Sequence, residues 1–178
     1  MTIRGSVFVA TSVDGFIARL DGTLDWLPQG DAGAEDYGYA AFYQTVDVVV
    51  MGRRTFETCR SFDRWPYEGK RVVVWSRGSP SVPSALAGAI ELSGLPPREL
   101  MKHLEQTGSR NAYVDGGMTI QAFLAHGLIQ DLTITQVPVL LGTGISLFGP
   151  MERELGLHLV VTRAYPNGLV QTRYALEA

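Results

Sequence analysis

The sequence predicts an α/β fold: a mostly parallel central sheet flanked by helices, with an antiparallel hairpin at its C-terminal end. Three observations lead there. Short apolar runs rich in β-branched residues alternate with stretches of helical periodicity from Ser6 to Gln130, as in successive βαβ units. Each run is bounded by Gly, Pro, Asp or Ser, as strands are. Beyond them, two alternating segments flank Pro166, Asn167 and Gly168, and an Asn-Gly pair between such segments is a strong hairpin signal.

The first strand is SVFVAT (6–11). Its apolar stretch, Val7 to Thr11, is far too short for a signal-peptide core or a membrane span. Leu20 to Ala34 reads as a loop, and the spacing then predicts a helix over Ala34–Thr45. VDVVVM (46–51) follows as a strand, and a helix over Arg53–Ser61. RVVVWS (71–76) is the next strand, with a loop at Gly78–Pro83. A helix over Pro97–Gln106, the strand NAYVD (111–115) and a helix over Met118–Ala125 complete the alternation. DLTITQVPVLL (131–141) is a further strand, and LHLVVTRAY and LVQTRYAL form the hairpin. No repeat or long linker interrupts the chain. Its 178 residues, 46% hydrophobic, suit one domain over 1–178 whose core needs no metal or disulfide.

Composition narrows the function. A net charge of -3 argues against nucleic acid as a partner, because such binders need a cationic stripe that displaces counterions. Neither does any segment suit a membrane. Cys59 is the single cysteine, which fits a reducing, cytoplasmic setting, and its amphipathic surroundings suit a small core residue. His103, His126 and His158 lack paired-ligand spacing, so no metal site is expected. Gly142 to Gly144 starts like a dinucleotide fingerprint, but Leu147 stands at the third glycine position and the βαβ context is missing.

Three strand ends carry candidate chemistry. At Gly52, Arg53, Arg54 and Thr55 a buried strand enters a helix through one glycine. Free N–H groups, the dipole's positive end and two guanidinium groups there suit phosphate. A tight turn with two solvated arginines is the plain alternative. At Gly116, Gly117, Met118 and Thr119 paired glycines would let a pyrophosphate approach a helix N-terminus, or would merely reverse the chain. Ser76 and Arg77 end a third strand, where Arg77 could pair with a 2′-phosphate or remain a solvated loop residue. The two glycine turns should both face the carboxyl edge of one sheet, where α/β proteins bind ligands, and their joint occurrence favours a cofactor; these neighbouring turns also make the functional reading of Ser76 and Arg77 preferable.

The ordered set SVDGFIA, LDWL, MGRRTFE, VVVWSR, YVDGGMTIQAFL and TQVPVLLGTG resembles the dihydrofolate reductase superfamily, and within it the reductase domain of riboflavin biosynthesis. The resemblance spans nearly the whole chain. It implies a dihydrofolate-reductase-like fold and NADPH as cofactor. Val9, Ala10, Ile17 and Ala18 would line the nicotinamide pocket, and Gly52, Arg53, Arg54 and Thr55 would hold phosphates. Ser76 and Arg77 match contacts to the 2′-phosphate. Gly116, Gly117, Met118 and Thr119 match the pyrophosphate turn, where relatives often carry a cis Gly-Gly peptide. Asp14 and Trp26 match positions framing a mobile loop over the substrate.

The departures concern the substrate. Dihydrofolate reductases carry a carboxylate on the first helix that helps protonate the pterin, and here Gly30 or Gly38 stands at that place, depending on the anchor used for the comparison. Phe8 occupies a position where riboflavin reductases often have lysine. The zinc deaminase half often fused to such reductases has no counterpart, since His103-Leu104-Glu105 lacks a C-x-x-C to complete it. Candidates for proton supply are Asp14, Asp36, Tyr37 and Thr135. Two readings follow: hydride transfer from NADPH to a small pteridine- or pyrimidine-type heterocycle, as in 5-amino-6-(5-phosphoribosylamino)uracil reductase or dihydrofolate reductase, or an NADPH-binding, redox-sensing module without turnover. The apolar terminal strands and VPVLL run, together with the resemblance, predict a homodimer.

Overall fold

A computed structural model describes residues 2–28 and 35–176. The chain runs β1 (Arg4–Ser12), β2 (Phe16–Ala18), α1 (Tyr39–Thr45), β3 (Val48–Gly52), α2 (Arg53–Arg60), β4 (Arg71–Trp75), β5 (Ile90–Ser93), α3 (Pro97–Gln106), β6 (Asn111–Asp115), α4 (Gly117–Ala125), β7 (Asp131–Val137), β8 (Ile145–Ser146), β9 (Leu157–Ala164) and β10 (Val170–Leu176). Eight strands form one sheet in the order β5-β4-β3-β6-β1-β7-β10-β9, and β2 pairs with β8 in a small second sheet. From β5 to β7 every pairing is parallel. β10 joins β7 antiparallel, and β9 joins β10 the same way.

Strand alternation divides the core into two layers. On one face Val7, Val48, Val50, Val114 and Leu132 pack with Leu100 and Leu104 of α3 and Ile120 and Phe123 of α4. On the other, Val49, Met51, Val72, Val74 and Tyr113 pack with Phe56 and Cys59 of α2. Apolar side chains buried this fully contribute about 1.5–3 kcal/mol each, which explains why VVVM (48–51) and VVVW (72–75) read as unbroken apolar runs. α1 contains no buried residue. It is held by rings instead: Phe8 stacks on Phe42 at 5.0 Å, and Phe42 meets Tyr113 edge-on at 5.1 Å.

Most boundaries shift by one or two residues from the sequence expectation, and the larger departures are at α1, at the end of β7 and at three short strands. α1 begins at Tyr39 rather than Ala34, which lies outside the described residues. Tyr37 and Gly38 are left-handed, with φ of 56° and 81°, and the Asp36 carboxylate accepts hydrogen bonds from the N–H groups of Gly38 and Ala40. The strand expected through Leu141 ends at Val137, because Pro138 lacks a ladder donor and Val139 N–H turns back to Val137 O at 2.7 Å. β5 and the β2–β8 pair were not legible as strands. In the expected hairpin, Gly168 takes φ 85° and Tyr165 N–H bonds Leu169 O at 2.8 Å. Among the described residues no helix is long and apolar enough to cross a membrane.

Candidate functional site

Strands β3 and β6 are neighbours with Met51 opposite Asp115, so Gly52 and Gly116 emerge side by side at the carboxyl edge. Each opens a helix, and each is followed three residues later by threonine. The two turns interlock. A Cβ on Gly116 would stand 2.2 Å from Thr55 Oγ1, and one on Gly52 would stand 2.9 Å from Thr119 Oγ1. Gly116 also requires φ 88°, whereas Gly52 has an ordinary φ of -77°. Neither helix has a side-chain cap, so two adjacent N-termini present uncapped N–H groups, a donor set suited to phosphate oxygens.

The β4 end lies beside them. Ser76 is tied to the sheet through Ser93 O at 2.9 Å, and its hydroxyl accepts Gly78 N–H at 3.1 Å. A Cβ on Gly78 would stand 3.8 Å from Arg53 Nη1, which places this loop next to the α2 N-terminus. Arg53 bonds Glu57 one turn on, at 2.8 Å. Arg54 and Arg77 are exposed. The carboxyl edge of β3 and β4 therefore carries a local cationic group on a chain of net negative charge.

The small sheet covers the α4 side. Ser146 O accepts Gln121 Nε2 at 2.9 Å, and Ser12 Oγ accepts Phe16 N–H at 3.0 Å. Gly117 is buried beneath this sheet, with φ outside the left-handed range. A Cβ there would meet Ser146 O at 2.9 Å, Ile17 Cδ1 at 3.1 Å and Ile145 Cγ2 at 3.3 Å. The protein's own packing thus demands glycine at 117, while the unusual backbone belongs to Gly116. The peptide bonds of the described residues, Gly116–Gly117 included, are all trans. Ala18 and Thr119 are buried, Val9 is half-buried against the core, Ala10 is half-buried, and Met118 projects into solvent.

A buried polar cluster behind these turns was not anticipated. Asp115 accepts Gly116 N–H at 2.8 Å through one carboxylate oxygen and Tyr67 O–H at 2.5 Å through the other. Burial raises the Asp115 pKa, against the lowering pull of those two bonds. Burial and the neighbouring carboxylate push Tyr67 and Tyr113 well up and push the Cys59 thiol up to about 12. Cys59 is a protonated core residue. Tyr67 precedes Asp115 by 48 positions, and no local pattern joins them.

Of the proton-supply candidates, Asp14 accepts the N–H groups of Leu141 (3.1 Å) and Gly142 (2.7 Å), pinning the β1–β2 turn to the loop before β8. The nearby Ser12 hydroxyl and these N–H groups hold its pKa below the ordinary value. The bonds from Ala40 and Gly38 do the same for Asp36. Both carboxylates are backbone caps, ionised near neutral pH and unsuited to donate protons. Tyr37 and Thr135 are brought together, because Gln171 Nε2 donates to Tyr37 O and to Thr135 Oγ1, each at 2.9 Å. Trp26 Nε1 is buried without a partner among the described residues.

Sheet order, hairpin edge and the paired glycine turns define a reductase-like domain with the dihydrofolate reductase fold. The chain belongs to the RibD C-terminal domain family, whose model matches residues 5–171. It is 35% identical over 170 residues to the uncharacterized protein YwjB of Bacillus subtilis, covering 94% of this chain and 95% of that one. It is 30% identical over 159 residues to the riboflavin biosynthesis protein RibD of Corynebacterium ammoniagenes, covering 82% of this chain and 46% of that longer protein. Among solved structures, a protein of Shewanella sp. PV-4 provisionally assigned to riboflavin biosynthesis superposes with a TM-score of 0.92 at 37% identity, over 99% of this chain and all of that one.

Proposed function

We propose that the chain is an NADPH-dependent reductase that delivers hydride to a C=N bond of a small pyrimidine- or pteridine-type heterocycle. The observation that carries this reading is the interlocked pair of uncapped turns, Gly52–Thr55 and Gly116–Thr119, on adjacent strands beside Arg53, Arg54 and Arg77. Reductase domains of this family typically bind NADPH. The cofactor would supply the hydride. The α2 and α4 N-termini would hold its pyrophosphate and nearby phosphates, and Ser76 and Arg77 would read the 2′-phosphate. Val9, Ala10, Ile17 and Ala18 would border the nicotinamide, the last two from the small sheet that shields this edge from water. The engagement of Asp14 and Asp36 as caps leaves proton supply to water or to the Tyr37–Thr135 region.

A second reading, an NADPH-binding redox sensor, draws on the same engagement, since neither carboxylate is free for acid catalysis. Following NADPH oxidation against pteridines, pyrimidinones and quinones separates the two. Turnover with one class supports the reductase, and tight NADPH binding without any turnover supports the sensor. A homodimer is proposed as well, because edge strand β9 exposes Leu157, Leu159, Val160 and Val161, and unpaired apolar edges favour association. A cytoplasmic setting suits the buried free thiol.

A further inference from the structure

Ala10, Thr135 and Gln171 lie opposite one another across β1, β7 and β10, two residues toward the carboxyl edge from Phe8, the ring on which α1 packs. They therefore share the face that α1 partly covers. Gln171 is held in one orientation. Its two amide hydrogens point at two acceptors, Tyr37 O and Thr135 Oγ1, and a flipped amide would set oxygen against oxygen at Tyr37. The carbonyl Oε1 is left without a partner among the described residues. Thr135 is 5% exposed and uses its oxygen as acceptor, so its own hydroxyl hydrogen is likewise unused.

The Tyr37 carbonyl that orients Gln171 belongs to a residue at φ 56°, the one non-glycine in the left-handed region among the described residues. Its ring is clamped by Asn167 Nδ2 at 2.7 Å and by Tyr165 edge-on at 4.9 Å. Backbone strain held by surrounding contacts concentrates at functional sites. This one fixes a polar pair next to Ala10, at the border of the nicotinamide pocket.

We infer that Thr135 and Gln171 form a substrate-specificity pair that reads the lactam edge of the heterocycle: the Thr135 hydroxyl donates to the ring carbonyl and Gln171 Oε1 accepts the adjacent ring N–H. This rests on the reductase reading given above. A neutral donor–acceptor pair selects a neutral lactam, where a carboxylate would select a protonated ring. The two residues read different atoms, so their losses are distinguishable.

The test uses the full chain saturated with NADP+, and titrates 5,6-diaminouracil and its 1,3-dimethyl derivative, which keeps both carbonyls and loses both ring N–H groups. The native protein is expected to prefer the unmethylated probe by about tenfold or more. Thr135→Val should weaken both probes by roughly 3- to 10-fold, with Thr135→Ser restoring them. Gln171→Met should weaken only the unmethylated probe and collapse the preference. A merely structural role would shift both probes alike in every variant. Should Gln171→Met not fold, 2,4,5,6-tetraaminopyrimidine, which lacks both ring carbonyls, still decides the hydroxyl's part: Thr135→Val should leave its affinity unchanged, whereas a structural role would weaken it as much as the uracils. Equal native affinity for both probes, binding of NADP+ but of neither probe, or a preference that survives Gln171→Met would overturn the assignment. Failure to bind NADP+ with probe preference intact would remove the cofactor reading alone.

Discussion

Replacing Gly116 by alanine perturbs the interlock at its tightest point. The new Cβ would stand 2.2 Å from Thr55 Oγ1 and 3.3 Å from Thr55 Cβ, on a backbone with φ 88°. At φ 88° and ψ 134° the backbone lies outside the αL well, in a region that side chains with Cβ rarely adopt, at a cost of roughly 1–3 kcal/mol, and relieving the overlap adds about 1–3 kcal/mol. Because Thr55 is β-branched on a helix, its hydroxyl cannot swing away freely. The sum, about 2–6 kcal/mol, corresponds to a fall in Tm of roughly 5–20 °C for a chain of this size. In Gly116→Ala/Thr55→Ala the oxygen is gone and only the backbone cost should remain, so the double variant should melt above the Gly116→Ala single variant. Calorimetry on the native, single and double variants measures this coupling. A double variant no more stable than Gly116→Ala would refute the interlock.

Three further outcomes follow from the same geometry. Arg77→Ala should bring NADPH affinity down toward that of NADH by roughly 1.5 kcal/mol, about tenfold, in paired titrations of the two cofactors; equal native affinities would sink the 2′-phosphate assignment. Gly117→Val should lower Tm strongly, because its side chain would enter the space between Ser146 O, Ile17 and Ile145, which departs from the sequence-based expectation that Gly117 lies open to a pyrophosphate. Asp115 has a folded-state pKa above its ordinary 3.8, so it holds its proton more firmly folded than unfolded. Its contribution is full below the unfolded pKa and is lost as pH rises through the folded one. The stability of the native protein minus that of Asp115→Asn should therefore decline over that window, and a flat or rising difference in denaturant titrations at stepped pH would contradict the burial argument.

Local signals carried the sequence reading where they were strong. α3 begins at Pro97 and ends at Gln106 as its spacing predicts, because proline at a helix start and an amphipathic register are both local. The glycine turns were legible for the same reason. α1 was misplaced because a left-handed Tyr37 is unusual enough that no propensity argues for it, and it is sustained by Asn167 and Gln171, 130 and 134 positions away. β5 was missed because its four residues, IELS, bury only Ser93 fully and so lack an apolar run. Gly117 looked like a cofactor contact because sequence cannot show that Ile17 and Ile145 occupy the space above it. The Thr135–Gln171 pair exists only through the register of β7 and β10.

The central claim is that a dinucleotide lies across the β3–α2 and β6–α4 turns, and a crystal structure of the protein with NADPH tests it most directly. The pyrophosphate should sit between the uncapped N-termini of α2 and α4, with the 2′-phosphate at Arg77 and the nicotinamide beside Ala10. A nucleotide bound elsewhere, or crystals soaked at saturating NADPH that leave these two turns empty, would contradict the account.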